Sequence, residues 1–146
     1  FQFVNYMMPN DRQNRKTTMT AVGMLMYEYL GYNRSDLKGL ADTIIKDLPE
    51  FGVKSINQEM YRWYYTTLAL FQFGGEHWKT WNTAFSNLLV KHQRIDGPQD
   101  GSINDLHGSW DCETDHFGQN LGRIYTTAMT TLCLEVYYRY NNLYSK

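Results

Sequence analysis

Residues 110–118, WDCETDHFG, gather Asp111, Cys112, Asp115 and His116, the carboxylate, thiol and imidazole types that hold zinc. Cys112 and His116 are spaced so that the pair could bite one ion, but no second pair of ligands is apparent. Loop hydrogen bonding is the simpler role for Asp111 and Asp115, and no metal or cofactor is assigned. A second cation candidate is DGPQDGSINDLH, with Asp96, Asp100, Gly101 and Asn104 in the manner of a calcium loop. It departs from that pattern where Pro98 replaces a ligand and where His107 stands in place of the closing bidentate Glu.

The third candidate is a wall rather than a catalytic set. Trp63, Tyr64, Tyr65 and Thr67 cluster in one segment, and Tyr125, Thr126 and Thr127 in another, with Trp110 a little before the second. Rings and hydroxyls of this kind suit an apolar, isoprenoid-like or lipid ligand with one polar end. The competing reading is ordinary core packing, in which Thr back-bonds to its own helix and Tyr caps a neighbour. His77 and His92 read as solvated or locally bonded imidazoles. No nucleophile–base pair, phosphate loop or dinucleotide fingerprint is present.

Positioning such residues needs a folded core, and the composition supplies one. The 146 residues include twelve Tyr, seven Phe and four Trp, with 42% hydrophobic residues. A net charge of −1 without a polybasic run argues against nucleic acid as partner. No apolar run reaches the roughly 18 residues of a membrane span. Cys133 lies in an apolar stretch and Cys112 in a loop, so no disulfide framework is implied. The chain begins with Phe rather than Met, and we expect it to be a processed or excised piece.

Five helices are predicted, over residues 17–30, 36–48, 59–73, 76–93 and 122–140, with a loop over 94–121. Gly31 caps the first, Ser35 starts the second, Pro49 ends it and Gly74-Gly75 stops the third. The first, third and fifth are apolar nearly all round and need cover on every side. The second and fourth carry one apolar stripe each, the latter through Trp78, Trp81, Phe85, Leu88 and Leu89. The order is therefore inner, outer, inner, outer, inner.

The Thr-Thr pairs at 17–18, 66–67 and 126–127 are each followed by small and apolar residues. We read them as the starts of equivalent inner helices in a two-layer array of helical hairpins. Recurrence by chance in a Tyr- and Thr-rich bundle is the alternative.

The segments YRWYYTTLALFQFGGEHWKTWN, LLVKHQ, GSWD and GRIYTTAMTTLCLEVYYRY resemble repeats of the terpenoid cyclase and protein prenyltransferase superfamily. Within it they look like bacterial prenyltransferase and squalene-oxidase repeat proteins, over residues 16–140 and most strongly over 59–140. The resemblance implies an all-α fold, a partial α/α toroid of inner and outer helices, with residues 1–146 a single region of a larger ring. Leu89, Gln93 and Gly108-Ser109-Trp110 match the two halves of the cyclase repeat signature, although Leu88 replaces an aromatic and an insertion lies around 97–107. Gln93 and Trp110 would tie one helix end to the next helix start by hydrogen bonding and stacking.

The same resemblance locates the acids that the family's chemistry would need. The Asp-rich cyclase motif would fall on residues 63–66, or equivalently 123–126, and neither stretch holds a carboxylate. The diphosphate-binding Asp motif is missing too, and adjacent Asp111 and Cys112 depart from the prenyltransferase zinc spacing. The expected function is thus a non-catalytic repeat module that binds an apolar ligand or a protein partner through its inner helices. Further repeats or a second copy would cover those helices. The alternative is an isoprenoid-processing enzyme whose catalytic residues lie in repeats outside this sequence.

Overall fold

The structure, a computed structural model, describes residues 16–52, 59–95 and 106–144. Among them every regular element is a helix: α1 Lys16–Tyr29, α2 Arg34–Ile44, α3 Met60–Phe73, α4 Gly75–His92, α5 Gly118–Leu134 and α6 Val136–Arg139. The protein is all-α. No helix among the described residues is long and apolar enough to cross a membrane. The calcium-like positions Asp96, Asp100, Gly101 and Asn104 lie outside the described residues.

The helix ends follow from local chemistry. Gly31 takes φ +82°, which only glycine adopts without strain. It donates its N–H to Glu28 O at 3.0 Å, while Tyr32 N–H reaches back to Tyr27 O at 3.1 Å. These paired bonds satisfy two orphan carbonyls, and the Tyr27 and Tyr32 rings close over them at 4.9 Å. Gly74, at φ +71°, separates α3 from α4 in the same way.

Two boundaries differ from expectation. Helix α2 begins after Asn33, so Ser35 lies in its first turn instead of capping it. It also ends at Ile44 rather than 48. Pro49 disfavours helical backbone at the residue before it, and Arg62 Nη1 takes the Asp47 carbonyl at 2.8 Å. The fifth predicted helix starts earlier, at Gly118, and bends at Gly122, whose φ is +76°.

Helix α3 is the centre of the molecule. Thr18 at the start of α1 bonds Glu59 just before α3, and Arg34, shortly after α1, stacks on Phe73 at the end of α3. Met60 meets Thr130, and Phe71 meets Tyr137 further along. Helices α1, α3 and α5 therefore run parallel in one row. Helix α4 runs antiparallel behind α3, with Trp81 against Thr67 and Phe85 against Trp63. Leu37, Leu40 and Ile44 of α2 bury the stripe expected of an outer helix. A fully buried Leu or Ile of this kind contributes about 1.5–3 kcal/mol.

The expectation of three all-round buried helices holds best for α3. At the free edge of the row α5 buries Thr126, Thr130 and Cys133 but exposes Leu121, Ala128 and Ile124, the last by 86%. At the other edge α1 exposes Met26, Tyr29 and Leu30. Among the described residues, each of these edge helices has an inner-row neighbour on one side only. The Thr pairs are not in register either. Thr17 and Thr18 lie in the first turn of α1, whereas Thr66 and Thr67 lie in the middle of α3, level with Trp81 and Cys133.

Candidate functional site

The loop before α5 is tied together by two of the candidate metal donors, Asp111 and Asp115. Asp115 is fully buried, and its carboxylate caps the first turn of α5 by accepting Phe117 N–H at 3.1 Å and Gly118 N–H at 2.6 Å. Its other oxygen accepts Met60 N–H at 2.6 Å, at the start of α3. One negative charge thus serves two parallel helix N-termini, where helix dipoles favour it. Gly118 is required at this point, because a Cβ there would meet the Cys112 carbonyl at 2.8 Å.

Asp111 is held between Arg123 at 2.6 Å and Arg94 at 3.2 Å. Burial works against its charge, but the hydrogen bonds and fields of both guanidiniums outweigh it and keep the carboxyl below the usual range. Cys112 is a half-buried free thiol, and His116 is exposed with its ring edge-on to Phe117 at 5.0 Å. Both acids are therefore engaged with protein partners. No three His, Cys, Asp or Glu side chains among the described residues are grouped to hold a metal ion.

The tie proposed for Gln93 and Trp110 is visible in the geometry. Gln93 Nε2 donates to Gly108 O at 2.9 Å, and Trp110 Nε1 donates to Leu89 O at 2.8 Å. The last turn of α4 and the approach to α5 thus exchange side-chain bonds in both directions. Backbone bonds between Arg94 and residues 108–109 complete the joint. Thr126 Oγ1 donates to Trp110 O at 2.8 Å, and Thr127 Oγ1 accepts Trp110 N–H at 3.4 Å.

The eight expected lining residues separate into three places. Trp63, Thr67, Trp110 and Thr126 are buried in the helix packing, with Thr67 accepting Trp81 Nε1–H at 3.0 Å. Tyr64, Tyr65 and Tyr125 are half-buried and belong to a tyrosine-rich face that includes Tyr61, Phe117 and Tyr140. The Tyr64 and Tyr140 hydroxyls meet at 3.5 Å. Burial first, then neighbouring hydroxyls and acids, push the phenols of Tyr64 and Tyr125 well above their usual range. The Tyr125 hydroxyl is buried without a hydrogen-bond partner among the described residues.

Thr127 lines a different feature, an open cleft of about 550 Å³ along the free edge of α5, with Ser109, Arg123, Ile124 and Ala128. The two remaining histidines of interest have local partners: His77 bonds Asp42 at 2.7 Å, and His92 stacks on Phe51 at 4.5 Å.

One residue carries an anomaly that the sequence reading passed over. Glu28 is only 3% exposed, and neither carboxyl oxygen has a hydrogen-bond partner among the described residues. Its signal in the sequence is a lone acid in an otherwise apolar helix, a feature shared by many ordinary surface positions. Compared with family models, with curated proteins and with solved structures, the chain matches none of them.

Proposed function

We propose that the chain is a non-catalytic helical-repeat module, related in design to the prenyltransferase and squalene-cyclase repeats, that works by packing further helices onto its inner row. The observation that carries this reading is the open edge of α5, where Ile124 is 86% exposed beside Leu121 and Ala128. Apolar surface of this kind, repeated on α1 by Met26 and Leu30, supports an interface more than a catalytic centre. The acids that could do chemistry favour the same side, since Asp111 and Asp115 are committed to arginines and backbone amides.

A second reading rests on the tyrosine face. The partnerless Tyr125 hydroxyl, beside Phe117 and Tyr61, suits the polar end of an apolar, isoprenoid-like ligand. An enzyme with its catalytic residues in other repeats would use that face as one wall of its cavity.

Light scattering and native mass spectrometry on the purified chain test both. A self-associated or partner-bound species, lost in Ile124→Asp without loss of helix content, is the expected result. A stable monomer that binds no hydrophobic dye would overturn the packing reading. A co-purifying lipid, lost in Tyr125→Phe, would favour the second.

A further inference from the structure

Glu28 sits in the last turn of α1, at the end where the row is closed by the tail after α6, residues 140–144. The tail is fastened by polar bonds. Gln72, buried in α3, donates to Asn141 O at 3.1 Å and accepts Leu143 N–H at 2.7 Å. Asn142 Nδ2 donates to Phe71 O at 2.6 Å, and the Tyr144 hydroxyl donates to Tyr32 O at 2.8 Å. Tyr144 lies within the electrostatic reach of Glu28. A buried acid with neither oxygen bonded has a large desolvation cost to ionise, and such a group in a folded protein calls for an explanation.

We propose that residues 140–144 form a proton-controlled latch, closed over Glu28 while that carboxyl is neutral and released when it ionises. The charged or titratable groups acting at this end of the row are Tyr29 on α1, Tyr144 and Tyr140 on the tail, and Arg34 at the start of α2. Arg34 acts on Tyr144, and its guanidinium stacks on the Phe73 ring at 4.7 Å. From α3 the polar group tied to the tail is the neutral Gln72. No described residue pairs with the Glu28 carboxylate.

Burial raises the Glu28 carboxyl from its ordinary 4.5 to about 9. The sign follows. The closed state holds the proton more tightly than the open state, so closure is fully favoured below about pH 4.5 and weakens as pH rises toward 9. Between those limits the opening constant rises about tenfold per pH unit. Opening at neutral pH is therefore easier by about 300-fold than it would be for a group that does not titrate.

Hydrogen exchange at the Leu143 amide, corrected for intrinsic rate, reads this opening directly in the intact chain. The expected opening constant is about 100-fold larger at pH 8 than at pH 6. Glu28→Gln, which is neutral at every pH, should flatten that dependence. A pH-independent opening constant, or the same rise in Glu28→Gln, would overturn the latch. Should Glu28→Gln not fold, the wild-type carboxyl carbon shift decides by itself. A Glu28 midpoint far above 4.5 that moves down in Tyr144→Phe supports the latch. An ordinary midpoint, or one that ignores Tyr144→Phe, refutes it.

Discussion

Asp115 and Met60 are joined by a 2.6 Å hydrogen bond from backbone N–H to carboxylate, across 55 residues of chain. The bond pins the start of α3 to the start of α5 and so sets the register of two neighbouring helices. Asp115→Asn keeps the shape but removes the charge and turns an amide N–H₂ toward backbone donors. We expect a loss of about 2–4 kcal/mol in urea unfolding, the size of losing charged hydrogen bonds in a buried site. A change under 0.5 kcal/mol would mean that the capping bonds do not set the register.

The joint between α4 and α5 makes a second prediction. Trp110→Phe removes the donor to Leu89 O, and Gln93→Ala removes the donor to Gly108 O. Each should cost about 1–2 kcal/mol. Because both close one joint, their effects should be non-additive in a double-mutant cycle. Full additivity would show two independent bonds rather than a shared lock.

The two thiols should differ sharply in reactivity. Cys133 is buried, and burial pushes its thiol up to about 12 despite a bond to Thr67. Cys112 is only half-buried. The thiolate is the reactive form, so a thiol reagent near pH 8 should label Cys112 in the folded chain and Cys133 only on unfolding. Equal labelling rates under native conditions would contradict the packing of α5 on α3.

Acid should loosen the loop before α5. The Asp111 carboxyl is held below its ordinary 3.8 by Arg123 and Arg94. A depressed pKa gives stability that is present above the ordinary value and lost as pH falls through the folded one. Exchange of the Gly108 amide should therefore speed up, after intrinsic correction, as pH drops below about 4. The effect should shrink with added salt, since Asp111 is partly exposed, and should weaken in Arg123→Gln, which leaves Arg94 holding the carboxylate.

Much of the helical framework was legible in the residues alone. The apolar run that ends at Gly74 placed α3 to within one residue, and Gly31 marked the end of α1. The ties of Gln93 and Trp110 were anticipated as well, although Asp115 was seen only as a loop acid. Helix periodicity, glycine stops and proline breaks act within a few residues, so each is written in a short window of sequence. Side-chain faces are a longer-range matter. Nothing within α5 says that Thr130 and Cys133 point at α3 while Ile124 points away, because that depends on which helix becomes its neighbour. The Thr pairs likewise looked equivalent in sequence, yet α3 slides relative to α1 and α5 to bury Trp63 against Phe85 and Trp81 against Thr67. Glu28 shows the same division most clearly. Its place on a helix follows from the sequence, but its burial, without a hydrogen-bond partner among the described residues, exists only in the packed tertiary structure.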